Sequence, residues 1–223
     1  VLRGMPLRVP RPYGSYVIEH ILFKIAYPAE FHAQTAVEAA ARLHHQVRDR
    51  VGRIQRVRIE TQQSALRIID KRGPLHNPAD RDHCLQYMVA VALLEGTLSA
   101  QHYRDDYARD PRIDPLREKM EVVENPRFSR DYLDPARRSI ANAVQVFFAD
   151  GTATERVEVE YPPGHVRRRA EGLPRLEQKF QANLAARLPA ERCKGVLDLF
   201  HDPPRLEAMP VDQFMDLFVV QPE

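Results

Sequence analysis

The run Cys84-Leu-Gln-Tyr-Met-Val-Ala-Val-Ala-Leu-Leu94 constrains this chain more than any other stretch. A helix over these residues is apolar nearly all round, so other elements have to enclose it on every side. Asp80 reads as the cap that opens this helix and Gly96 as the residue that ends it. Enclosure needs a sizeable core, and 223 residues suffice for one large domain or two small ones.

The elements available to enclose it are legible from periodicity and breakers. Residues 17–27 read as an extended, mostly apolar segment ending at Pro28. Residues 29–47 read as an amphipathic helix, with Ala33, Val37, Ala40, Ala41 and His44 at helical spacing. Residues 54–59 alternate as a strand does, and 66–69 form a second short apolar run read as a strand. The segment 71–78 is a loop. A short helix starts at Ser99-Ala100, another is predicted over 114–120, and a strand over 120–123. Residues 143–149 and 154–161 flank Asp150-Gly151, the strongest hairpin signal in the chain. After Pro162-Pro163-Gly164 the pattern becomes helical, over 173–188, 190–200 and 211–218. The fold class predicted is α+β: a small mixed or antiparallel sheet with packed helices, then a helical tail. That tail has too few apolar residues to bury itself and is expected to dock on something helical.

Composition narrows the function classes. Thirty-three basic residues face 31 acidic ones for a net charge of +2, so no strong charge argues for nucleic acid. No segment approaches the roughly 18 apolar residues of a membrane span and no signal peptide is evident, which makes the cytoplasm the expected compartment. Two separated cysteines, Cys84 and Cys193, support neither a disulfide framework nor a zinc site, and are too few for a typical iron–sulfur cluster. No metal site is expected. The chain starts at Val1 inside what reads as a connecting segment, so an upstream portion is expected.

Three constellations carry possible chemistry. Lys24 sits between Phe23 and Ile25, ahead of Pro28, Glu30, His32 and Gln34 at the start of the predicted helix. A poorly hydrated ammonium beside free helix N–H groups suits a small anion. The plainer alternative is a lysine snorkelling from a half-buried strand with a surface histidine. Arg81, His83 and Tyr87 open the buried helix, where the cations suit a carboxylate and the hydroxyl needs a partner. They read equally as the solvated first turn of a capped helix. Arg167, Arg168 and Arg169 suit a polycarboxylate or phosphate, or a solvated loop.

Several blocks in one order resemble the MmgE/PrpD family. They are Arg11–Tyr16, Phe31–Ala40, Asn77–Tyr87, Asp110–Asp114, Arg138–Asn142 and Gly164–Arg169. The resemblance implies a two-part enzyme, with residues 1–165 as its α+β lid domain. Residues 166–223 would be helices returning to a helical domain that precedes this chain. It implies dehydration of 2-methylcitrate to 2-methyl-cis-aconitate in propionate breakdown, without an iron–sulfur cluster, by a cytoplasmic homodimer acting on a small tricarboxylate. Lys24 matches a cleft lysine that binds carboxylate or stabilises developing charge. His32 stands as a proton-transfer candidate and Tyr87 matches a cleft tyrosine. Arg81, His83, Glu30 and Gln34 are substrate-binding candidates, and some members carry histidine where this chain has Glu30 or Gln34. A cis-aconitate decarboxylase of the same fold, or a non-catalytic module for tricarboxylate binding or dimerisation, are the competing readings.

Overall fold

A computed structural model describes residues 24–220; the extended run predicted over 17–23 and the block Arg11–Tyr16 lie outside the described residues. Four strands form a mixed sheet: β1 (Ile54–Thr61), β2 (Met120–Glu124), β3 (Asn142–Phe148) and β4 (Val157–Val159). Their order is β2-β1-β3-β4, with β1 parallel to β2 and antiparallel to β3, and β3 antiparallel to β4. The helix expected after Pro28 is α1 (Gln34–Val47), entered by a single 3₁₀ turn at Phe31–Ala33. Four helices fall between β1 and β2: α2 (Gln63–Ile68), α3 (Pro78–Asp82), α4 (Leu85–Glu95) and α5 (Ile113–Glu118). Between β2 and β3 lies α6 (Pro126–Leu133), and the chain ends in α7 (Arg169–Ala185), α8 (Ala190–Phe200), α9 (Pro203–Ala208) and α10 (Val211–Asp216).

The apolar helix is enclosed as its composition requires. Every residue of α4 from Leu85 to Leu94 is buried. It shares one core with α1 and with Val57, Ile59, Val144 and Val146 of the sheet. Truncating a fully buried leucine such as Leu93 to alanine is expected to cost about 2–5 kcal/mol. Gly96 ends the helix at φ 70°, and a Cβ there would also meet the His44 ring at 2.9 Å. The alternate side chains of the sheet point the other way and carry ion pairs, Arg56 of β1 with Glu121 of β2, and Arg156, just ahead of β4, with Glu60 of β1 and Glu158 of β4. Hydrogen bonds from Arg156, against the opposing effect of burial, hold the Glu60 carboxyl down at about 2.

Several boundaries differ from the sequence reading. The run 66–69 is not a strand: residues 66–68 belong to α2, and Ile69 closes that helix, its N–H returning to the Ala65 carbonyl at 2.8 Å. A four-residue apolar run carries no period that separates the two states. Asp80 does not cap the buried helix. Asn77 caps α3 by accepting from the Asp80 N–H at 2.9 Å, with Pro78 in the first turn, and Cys84 is extended before α4 begins. The β4 strand is shorter than predicted because the Thr154 hydroxyl takes the Val146 N–H at 3.0 Å in place of a ladder partner. Two helices went unread, α6 and α9. Both follow an Asn-Pro or Asp-Pro pair whose side chain caps the first turn.

The final helices have a small cluster of their own, built on Leu184, Leu188, Cys193 and Val196. Arg168, just ahead of α7, grips the body by donating to both Glu38 oxygens at 2.7 and 2.9 Å. Gly172 lets α7 approach so closely that a Cβ would stand 2.3 Å from the Pro163 carbonyl oxygen.

Candidate functional site

The turn that opens α1 is pinned from both sides. Glu30 caps it, its carboxylate accepting from the His32 N–H at 2.8 Å. Asn142, at the start of β3, donates to the His32 carbonyl at 2.8 Å and to the Thr35 hydroxyl at 2.7 Å, and that hydroxyl donates to the Ile140 carbonyl. Gln34 is buried and spends its amide on the Tyr27 and Ala29 carbonyls, at 2.9 and 2.7 Å. It therefore fixes the backbone around Pro28 and has no donor left for the substrate contact the sequence suggested.

His32 sits in a three-member chain. Its Nδ1 is 2.9 Å from Glu30 Oε1, and its Nε2 is 3.1 Å from the Tyr132 hydroxyl on α6. The Glu30 and His32 side chains are only 12% and 9% exposed. Burial pushes the Glu30 carboxyl up. The hydrogen bonds and charge of His32, with the charge of His83 behind them, outweigh that and leave it below the ordinary carboxylate range. An ionised carboxylate only accepts, so in the neutral form of the imidazole the proton sits on Nδ1 and Nε2 is the acceptor facing the Tyr132 hydroxyl. Both ring nitrogens of His32 are thus taken. The group left facing outward is Tyr132, on a cavity of about 380 Å³ lined by Phe31, Tyr132, Leu133, Pro135, Arg138 and Ile140.

The other expected residues fall elsewhere. Lys24 is exposed, and its carbonyl accepts from Lys179 Nζ at 2.8 Å; the poor hydration expected from its apolar neighbours is not what the described residues show. Tyr87 is 2% exposed, stacks on Tyr103 and donates to the His102 carbonyl. Burial pushes its hydroxyl up to about 12. Among the described residues it has no hydrogen bond or ring contact with His32. Arg81 is buried and holds the Tyr103 carbonyl and Asp105. Of that second group only His83 reaches the His32 cluster, through its charge on Glu30. The arginine run is divided: Arg168 is committed to Glu38 and Glu171, and Arg167 to the Ala136 carbonyl and the Tyr161 ring. Tyr132 and Arg138 went unsuspected. Tyr132 is 100 positions from His32, and no local pattern joins them.

A larger cleft, about 420 Å³, is lined by Lys71, Arg72, Gln86, Asp114, Arg117 and Glu118 among others. Its cations are paired internally, Lys71 with Asp80, Arg72 with Asp70 and Arg117 with Asp114, so it offers no excess charge. Among the described residues no group of His, Cys, Asp and Glu is arranged to hold a metal ion, and no helix is long and apolar enough to cross a membrane.

Comparison with known proteins assigns the chain to a family. The chain is 56% identical to a 2-methylcitrate dehydratase of Cupriavidus necator, over 99% of this chain and 46% of that protein. It is 53% identical to a protein of the same name in Salmonella typhimurium, over 98% and 46%. It is 49% identical to the mitochondrial 2-methylcitrate dehydratase of Yarrowia lipolytica, over 97% and 42%. The chain spans a little under half the length of these curated relatives. Residues 27–201 match the MmgE/PrpD C-terminal domain, a span that carries the Glu30–His32–Tyr132 chain, the whole sheet and the first tail helices: the chain belongs to the MmgE/PrpD family.

Proposed function

We propose that this chain is the C-terminal part of a hydro-lyase that converts 2-methylcitrate to 2-methyl-cis-aconitate and water. The observation that carries the reading is identity of 49–56% along nearly the whole chain to proteins bearing that enzyme's name. The site supports it chemically. Loss of water from a β-hydroxy acid needs a base for the proton beside a carboxylate, an acid for the leaving hydroxyl, and cations against the enolate-like charge. A buried carboxylate–imidazole pair next to a cavity suits proton transfer, a step worth about 10²–10⁴ in rate.

In this reading Lys24 binds a substrate carboxylate or stabilises developing charge once the remainder of the protein covers it. His32 serves proton transfer, Glu30 orients it, and His83 adds positive potential. Tyr87 and Arg81 support the site from the core, by holding the 102–105 backbone. The full-length enzyme is cytoplasmic, homodimeric and independent of an iron–sulfur cluster.

The test is to mix the full-length protein with 2-methylcitrate and follow ultraviolet absorbance of the new double bond. Absorbance is expected to rise, and Lys24→Ala is expected to slow it at least tenfold. No rise with 2-methylcitrate, or carbon dioxide released from cis-aconitate instead, overturns the reading.

A further inference from the structure

Tyr132, the outer member of the Glu30–His32–Tyr132 chain, also lines a cavity. Beside it the backbone turns sharply: Arg138 takes its N–H to the Asp134 carbonyl at 2.8 Å, at φ 47°. A non-glycine residue in that left-handed region is uncommon and costs about 1 kcal/mol or more. The conformation sets Arg138 on the wall of the same cavity, and among the described residues its guanidinium makes no hydrogen bond or ion pair. Phe31, Leu133 and Ile140 supply apolar wall, and Leu133 is 76% exposed. The cavity is therefore lined by the tyrosine whose hydroxyl meets His32, by an arginine whose guanidinium has no partner among the described residues, and by apolar side chains.

We infer that Tyr132, backed by the Glu30–His32 pair, is the proton-accepting group this chain presents, and that Arg138 beside it anchors a carboxylate of a small polycarboxylate with an apolar edge. The inference rests on the dehydration proposed above. In the step, the Tyr132 oxygen takes the proton from the carbon next to a substrate carboxylate, while its own proton passes to His32 Nε2. The C–H electron pair becomes the new double bond. The C–O bond breaks, and the hydroxyl leaves as water with a proton taken from solvent. The imidazolium formed stays paired with the Glu30 carboxylate, then returns its proton through Tyr132 to solvent. Bidentate guanidinium contact suits a planar carboxylate, and the apolar wall suits a methyl or methylene edge.

The experiment compares three single variants with the parent full-length enzyme, in steady-state turnover of 2-methylcitrate. Tyr132→Phe is expected to lower kcat about 100-fold or more with KM within about threefold, because only the transition state uses the hydroxyl. Arg138→Gln is expected to raise KM about tenfold with a smaller change in kcat. Glu30→Gln, which keeps size and can still hydrogen-bond, is expected to lower kcat about tenfold at unchanged KM. It serves as the test if the tyrosine variant does not fold. Parent enzyme that turns over methylcitrate alongside a Tyr132→Phe variant within threefold of it overturns this inference alone. If that variant is unfolded, Glu30→Gln at parent kcat overturns it equally. A parent enzyme with no turnover overturns the function itself.

Discussion

Tyr87 and Tyr132 each hydrogen-bond a histidine residue, one through the His102 carbonyl and the other at the His32 ring. The two bonds have opposite consequences. A carbonyl can only accept, so Tyr87 spends its single proton on backbone, and burial raises its hydroxyl to about 12. An imidazole nitrogen backed by a carboxylate can take the proton away, so Tyr132 remains chemically live on a cavity wall. The same contrast separates Glu38, closed off by Arg42 and Arg168, from Glu30, whose partner leads outward. A polar cluster whose every bond ends on protein holds the fold together. One that ends at a cavity is available for chemistry.

That contrast is breakable. Removing a member of a closed cluster is expected to cost stability, and removing a member of the open one to cost turnover. Glu38→Ala removes the body-side carboxylate of Arg168, which keeps Glu171 and the Tyr161 carbonyl, and loosens the grip on α7, so it is expected to lower stability by about 2–3 kcal/mol in chemical denaturation. If it costs under about 1 kcal/mol, Glu38 is not holding the junction. Tyr87→Phe leaves the His102 carbonyl unpaired and is expected to cost about 1–3 kcal/mol. Tyr132→Phe, at a half-buried position, is expected to cost about 0.5 kcal/mol or less. Equal melting temperatures for the two phenylalanine variants would erase the distinction between them.

Acid sharpens the comparison further. Burial first, and then the Arg167 charge, lower the His165 ring from 6.5 to about 4. Its folded form therefore stays neutral while the unfolded chain takes up a proton. Stability is full above about pH 6.5 and declines as pH falls toward 4, by about 3 kcal/mol. His165→Asn is expected to flatten that part of the pH–stability curve. Glu30 acts lower down, because its folded value lies below the ordinary 4.5. Its contribution is complete above about pH 4.5 and disappears as pH falls through the folded value. In Glu30→Gln a small loss at neutral pH is expected, with no further acid-dependent loss from this site.

Local patterns settled the elements that declare themselves locally. The all-apolar helix, the amphipathic helix after Pro28, the strand over 54–59 and the Asp150-Gly151 hairpin are properties of neighbouring residues, through periodicity or turn chemistry. Helix α6 was legible too, since Asn125-Pro126 bears the same signature as Asn77-Pro78. The turn carrying Glu30 and His32 was visible as polar residues after a proline. Which of them are free was not visible. Gln34 and Arg81 looked like ligands, and both are consumed by carbonyls on segments that only folding brings near.

Tertiary structure alone decided the pairing of His32 with Tyr132. They lie 100 residues apart, on elements that meet because β3 pairs with β1 in the sheet and Asn142, at the head of β3, ties the His32 backbone down. Sequence carries the period of a helix and the chemistry of a side chain. It does not carry the direction in which a hydrogen bond points, because that depends on what the rest of the chain places opposite.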